Sequence, residues 1–428
     1  MAGKASVIAN IPSALSRTIL DRVFEDYPEH NFEVRLWDGS VWGQEDSPRF
    51  TILLHHPSAL RRMFSSLSEQ NLGEAYIQRA FDIEGDIVAA MDFVSHLVQR
   101  EFTMTQRYRV ATLLYRLPLP PASPVLLSRP HLSGTQHSLE RDRNAISYHY
   151  DLPVDFYSKW LDSRMVYSCA YFREGDNDLE SAQLQKLDYV CKKLRLRRGD
   201  RLLDIGCGWG ALAIHAAGEY GVHVLGITLS QSQAAEARQT VHRNGLDGRC
   251  QIELCDYREV NSKLWFDKIV SIGMCEHVGQ KLMPTYFEKA WELLVPGGVF
   301  LNHAISHAHT YKRNGPSFVD RYVFPDGDLL CLCRMLHYAE GSGFEVMDVE
   351  SLRKHYTLTL KAWLSRFERN ETDIRNVVED SIWRTWRIFL AGSAHAFASG
   401  RLNVYETLLV KSPQGDHSLP LRRSDWYG

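Results

Sequence analysis

Between residues 201 and 305 short apolar runs alternate with segments of helical period, and few architectures can accommodate that pattern. "RLLDIG" (201–206), "VHVLGIT" (222–228), "QIELC" (251–255), "FDKIVSIG" (266–273) and "GVFLNHAI" (298–305) read as buried strands. A helix is predicted from Ala211, another in "QSQAAEARQTVHRNG" closed by Gly245, and a third in "PTYFEKAWELL". Strands linked by crossover helices pair in parallel, so the expected fold is a doubly wound α/β sheet.

Inside that pattern "LDIGCGWG" (203–210) sets Asp204, Gly206, Gly208 and Gly210 between the first strand and its helix. Glycines there let the backbone turn tightly and come close to a ligand. The spacing is not the G-x-G-x-x-G of dinucleotide enzymes, and "VPGG" precedes the fifth strand as it does in many methyltransferases. Both features favour S-adenosylmethionine. The acid that commonly ends a second strand is absent; "GITLSQSQ" offers Thr228, Ser230 and Gln233 instead.

Ligands of an open parallel sheet gather at the carboxyl ends of its strands. Asp204, Asp256, Glu276 and His303 fall there after the first, third, fourth and fifth strands, and Tyr356 follows a sixth, "FEVMDVE". His277, beside Glu276, is expected to be a hydrogen-bonding helper.

"LPLPPASPV" (117–125) cannot be helix interior and divides the chain. The expected organisation is an α+β domain over 1–117 and a Pro-rich linker over 118–140, then a catalytic domain over 141–412 and a flexible tail over 413–428. Residues 306–340 are expected to be an irregular insertion, followed by a long helical stretch and a last strand, "LNVYETLLVK". With 428 residues there is length enough for two cores, and a net charge of −3 disfavours a nucleic-acid partner. The eight cysteines contain no C-x-x-C pair, so reduced thiols and no metal site are expected. No signal peptide and no membrane span are expected.

Longer stretches resemble the cyclopropane-fatty-acyl-phospholipid synthase family and its mycolic acid cyclopropane synthase relatives. They are "ISYHYDLPVDFY", "MVYSCAYF", "LLDIGCGWG", "GITLSQSQ", "CDYRE", "VSIGMCEHVG", "LNHAIS", "YVFPDG" and "HYTLTLKAW", in order over nearly all of 141–410. "NLGEAYIQRAFDIEGDI" (71–87) carries the likeness into the N-terminal part, as in the two-domain branch that acts on phospholipids. The resemblance implies a Rossmann-like class I S-adenosylmethionine-dependent methyltransferase domain with a smaller N-terminal α+β domain. It implies that the cofactor is held by Tyr167, Ser168, Gly206, Gly208, Thr228, Leu229, Gln233, Asp256, Tyr257, Arg258 and Ile272, to which the glycine turn and strand end read above add Asp204 and Gly210. It further implies a bicarbonate ion held by Cys169, Glu276, His303, the backbone of Ile305, and Tyr356. Three positions depart from the family's habit: Cys275 in place of an aromatic, Asn302 in place of an apolar residue, and Ser393 in place of a cysteine.

The implied reaction transfers the sulfonium methyl to a cis double bond in a phospholipid acyl chain. The bound base takes a proton as the ring closes, and Tyr171, Phe172 and Tyr356 offer ring faces to the intermediate cation. Such a substrate sits at a membrane surface, so the expected setting is the inner membrane face of a bacterial cell, with a homodimer allowed. "RYRVATLLYRL" (107–117), with Arg107, Arg109 and Arg116 beside Val110, Leu113, Leu114 and Leu117, reads either as an amphipathic helix on anionic lipid or as a domain-surface helix. Methyl- or methylene-branched products, a small-molecule N-methyltransferase and a non-catalytic lipid-binding protein are the alternatives.

Overall fold

The computed structural model describes residues 2–27, 31–43, 46–100, 102–121, 132–173, 178–310 and 317–427. Residues 122–131 of the expected linker lie outside them.

By its internal contacts the chain groups into two units. One comprises 1–129, 316–323 and 379–395, the other 130–315, 324–378 and 396–428. In the first unit β1 (Phe32–Arg35), β2 (Val41–Trp42), β3 (Phe50–Leu54) and β4 (Phe81–Gly85) form a sheet of order β2-β1-β3-β4. Its core is aromatic: Phe32 stacks on Phe50 at 5.1 Å, and Phe24 meets Phe93 at 4.9 Å.

The linear division expected from the prolines does not capture this grouping, because two later segments complete the first unit. Arg384 is buried and donates from Nε to the Tyr76 carbonyl at 2.7 Å and from Nη2 to the Phe81 carbonyl at 2.9 Å, with Asp82 at 2.6 Å. Phe318 fills the space over Gly73, where a Cβ would come within 2.4 Å of its ring. A buried guanidinium keeps its charge only with such partners, so these residues fix where 316–323 and 379–395 belong.

Helix Met104–Tyr115 buries Val110 and Leu114, and Leu117 just beyond it, and packs on helices Ala2–Val23 and Ala59–Phe64 of its own unit. The apolar side read from the sequence is therefore used in the domain core, which favours the domain-surface reading of the two for that side.

In the second unit seven strands form one sheet: β5 (Arg201–Ile205), β6 (His223–Thr228), β7 (Cys250–Leu254), β8 (Phe266–Ile272), β9 (Leu294–His307), β10 (Glu345–Ser351) and β11 (Leu402–Val410). The order is β10-β11-β9-β8-β5-β6-β7. β5 to β9 pair in parallel; β11 runs antiparallel between β9 and β10. Strand order reverses at β5, with β6 on one side and β8 on the other, so a crevice opens at its carboxyl end. The five expected strands are present, in a sheet that is mostly rather than wholly parallel.

Two local expectations are corrected. The 306–340 stretch contains helices Phe318–Tyr322 and Leu332–Gly341, the latter burying Met335 and Ala339. The tail packs rather than hanging free: Leu419 is buried, the Asp425 carbonyl accepts from Arg195 at 3.0 Å, and Arg423 pairs with Asp348.

Candidate active site

The glycine turn opens a cavity of about 1230 Å³, its mouth included, at the carboxyl ends of β5, β6 and β8. Gly206 turns the chain with φ +81°, and a Cβ there would come within 3.0 Å of Met274. Of the thirteen residues expected to hold the cofactor, all but Gly210 line this cavity. Gly210 instead caps helix Ala211–His215 in the left-handed region, 3.1 Å from Ala237 measured from where its Cβ would be. That is a helix-packing position, and a side chain would push the helix off its neighbour.

Asp204 is the most telling group in the cavity. It is 2 % exposed, and its Oδ2 has no hydrogen-bond partner. Burial pushes its carboxyl up to about 7, against a smaller opposing pull from Lys186. Lys186 is also buried and donates to Ser168 Oγ at 3.0 Å. A buried acid at the end of β5 with one oxygen lacking a hydrogen-bond partner fits the ammonium of a bound amino-acid moiety. Arg258 holds Asp256 in a fork, Nε to Oδ1 at 2.7 Å and Nη2 to Oδ2 at 2.6 Å, and also donates to Asp142 at 2.8 Å. Asp142, Tyr150, Lys186, Trp209 and Asp326 line the cavity without having been singled out in the sequence. His277 lines it too, and burial lowers its imidazole to about 4, so it is neutral near pH 7.

Glu276 sits past β8 in the short turn Cys275–His277, of which His277 belongs to the cavity wall, as does Met274, the residue before the turn. Its Oε1 accepts from the Ile305 backbone N–H at 2.6 Å, while its Oε2 is buried and has no hydrogen-bond partner. Burial raises the carboxyl to about 7, with the Ile305 N–H acting the other way. Asp328 N–H donates to the Glu276 carbonyl at 2.8 Å and fixes the turn from the insertion side.

His303 projects from β9 directly opposite Glu406 on β11, and its Nδ1 lies 3.1 Å from Glu406 Oε1. Glu406 is anionic: burial opposes this, but the Lys193 ammonium, 2.7 Å away, and His303 hold its carboxyl at about 2. A carboxylate can only accept, so Nδ1 carries the proton and His303 presents Nε2 on its other edge. Glu406 and Lys193 were missed in the sequence. The available signal was an acid at an inward position of a strand, between Val404 and Leu408.

Tyr356, on helix Arg353–Arg369, has its hydroxyl pushed up by burial and then by the nearby Cys169, Glu276 and Tyr150. Burial likewise keeps the Cys169 thiol protonated. Tyr356 thus feels Cys169, Glu276 and Tyr150, Glu276 meets the Ile305 backbone, and Glu406 meets His303 and acts on Cys169, while Tyr150 and Tyr167 line the adjoining cavity. Tyr171 does not join them. It stacks on Tyr189 at 4.1 Å and on His355 at 4.7 Å, and the Phe172 backbone donates to His355. Asn302 accepts from Tyr286 at 2.8 Å, so its departure from an apolar residue leaves no unmet polar group there. Ser393 groups with the N-terminal unit and is not part of the cavity wall.

The family model for mycolic acid cyclopropane synthetase matches residues 137–407. The chain belongs to this family. It is an S-adenosylmethionine-dependent methyltransferase with a Rossmann-like α/β catalytic fold. A model for a domain of unknown function matches residues 19–105. A "Probable fatty acid methyltransferase" of Pseudomonas putida is 40% identical over 92% of this chain and 95% of its own length. The cyclopropane-fatty-acyl-phospholipid synthase of Escherichia coli is 40% identical over 61% of this chain and 66% of its own. The solved mycolic acid cyclopropane synthase CmaA1, complexed with SAH and CTAB, superposes with a TM-score of 0.60 at 33% identity, covering 63% of this chain and 98% of that one.

Proposed function

We propose that this member of the family adds the methyl of S-adenosylmethionine to the cis double bond of an unsaturated phospholipid acyl chain and closes a cyclopropane ring, with a bound bicarbonate as base. The single observation that carries the reading is Glu276, with one oxygen tied to the Ile305 N–H and the other buried without a hydrogen-bond partner beside the cofactor cavity. When bound, the cofactor supplies an electrophilic sulfonium methyl. Asp204 would receive its ammonium, the turns at Gly206 and Gly208 would admit its backbone, and Asp256 with Arg258 would bound its adenine side.

Bicarbonate supplies a small base that, unlike a free carboxylate, does not trap the carbocation as an ester. A carboxyl near 7 at Glu276 can share a proton with such an anion, while the Ile305 N–H fixes its geometry. Glu406 holds His303 with Nε2 free of that contact, and Tyr356 offers a hydroxyl kept protonated by burial. Tyr150 and Tyr167, which line the cavity, replace Tyr171 as ring faces for the cation.

The test is incubation with unsaturated phospholipid vesicles and S-adenosylmethionine. A mass gain of one CH₂, with upfield cyclopropane protons by NMR, is expected. An olefinic methylene signal instead would select the branched-chain reading, which the name "Probable fatty acid methyltransferase" of the P. putida relative leaves open. Glu276→Gln should lower kcat by roughly 10²–10³ and raise the bicarbonate concentration for half-maximal rate. Full turnover at every bicarbonate level would remove the role given to this side chain.

A further inference from the structure

The insertion between β9 and helix Leu332–Gly341 carries a cluster that the methyl-transfer site does not use. Its two ends are joined where Ser306 Oγ donates to the Leu330 carbonyl at 2.7 Å and the two residues form a β-bridge. Just outside this clasp stand His309, Cys331 and Cys333. Nδ1 of His309 and the two Sγ atoms all lie within 4.8 Å of one another. Cys331 Sγ and Cys333 Sγ are 3.2 Å apart, and Cys333 Sγ is 3.6 Å from His309 Nδ1. None of the three lines the cofactor cavity.

Three donors of this kind at this spacing define most of a tetrahedral metal site. With Zn–S of about 2.3 Å and Zn–N of about 2.0–2.1 Å, tetrahedral ligand atoms stand roughly 3.5–3.8 Å apart. The observed separations need shifts of a few tenths of an ångström to about one ångström. Two sulfurs and one imidazole select a thiophilic cation over magnesium or calcium. Cys331 is buried and anchors the site, while His309 and Cys333 are exposed, so the fourth corner faces solvent. The absence of a C-x-x-C pair predicts no metal site from the sequence. The C-x-C at 331–333 becomes a candidate only when β9 delivers an imidazole from the far end of the insertion.

We propose that His309, Cys331 and Cys333 bind one thiophilic divalent cation, Zn²⁺ by its chemistry, with water as the fourth ligand. Binding releases the two thiol protons and converts the Ser306–Leu330 clasp into a cross-link. Such a cross-link steadies the segment whose Asp326 meets Arg141 at 2.9 Å and whose Asp328 holds the Glu276 turn. The metal takes no part in methyl transfer.

The experiment uses the full chain, reduced and stripped with a chelator, then titrated with Co²⁺ as a spectroscopic probe. One equivalent should bind with a thiolate-to-metal charge-transfer band and tetrahedral d–d bands, and Zn²⁺ should bleach both. His309→Ala should weaken binding by at least about tenfold, and Cys331→Ser with Cys333→Ser should abolish the bands. Zn²⁺ should raise Tm in the parent chain but not in the double variant. Undiminished SAH binding by that variant shows that it is folded. Absence of the charge-transfer band would overturn the proposal. So would an equal band in the folded double variant, or a Cys331–Cys333 disulfide in the untreated chain with no metal uptake after reduction.

Discussion

Glu276 and Asp204 illustrate how burial sets the chemistry of a single side chain. Each carboxyl lies near 7, well above the range of a carboxylate in water, because its charged form lacks solvent. Between about pH 4.5 and 7 the folded chain keeps protons on these groups that the unfolded chain has released. Stability therefore falls as pH rises through that window, by on the order of 3 kcal/mol per group. Glu406 behaves oppositely. Held at about 2, it contributes stability that is present above about pH 4.5 and lost only as pH falls through about 2. Glu276→Gln and Asp204→Asn should each flatten the fall between pH 5 and pH 8, read as urea midpoints of the cofactor-free chain. An unchanged slope in both variants would mean that neither acid is protonated in the fold.

At the scale of elements, the glycine turn and the β9–β11 pairing do different work. The turn after β5 is a steric device: Gly206 has a positive φ and Met274 stands where its Cβ would go. Gly206→Ala should cost about 1–3 kcal/mol and weaken SAH binding roughly tenfold or more, measured by calorimetry. Binding equal to that of the parent chain would show that the turn tolerates a side chain. The β9–β11 register matters differently, since it sets Glu406 opposite His303 and thereby chooses the imidazole tautomer. A slip of one residue would turn Glu406 to the other face of the sheet.

At the scale of the whole molecule, the proposed acyl-chain substrate would have to be reached by a chain with no membrane-crossing helix among its described residues. On the proposed reading, helix Met104–Tyr115 offers a surface for this on the side away from its buried residues. Met104, Tyr108 and Tyr115 are 81%, 72% and 78% exposed and, at spacings of four and seven, lie along one stripe. Arg107, Arg109 and Arg116 flank them. Tyrosines with arginines suit the headgroup layer of an anionic bilayer. Replacing the three arginines by glutamine should weaken sedimentation with anionic vesicles by roughly a hundredfold, at about 1 kcal/mol per charge. Tyr108→Ser with Tyr115→Ser should weaken it further. Unchanged sedimentation in both would remove this surface from the reading.

The α/β sheet, the cofactor turn and the polar residues at the strand ends were legible in the sequence because each is a local matter. Strand and helix periods, a glycine's freedom and a residue's place at the end of a strand are set by near neighbours along the chain. The Glu406–His303–Lys193 chain, the membership of 316–323 and 379–395 in the first unit, the covered faces of Tyr171 and the His309–Cys331–Cys333 cluster were not legible. Each depends on segments that meet only after folding. The sequence by itself determined the cofactor and the class of chemistry. Tertiary structure alone decided which acid is protonated, which imidazole nitrogen is left clear of Glu406 and which side of helix Met104–Tyr115 stays exposed, because burial and pairing between distant segments set all three.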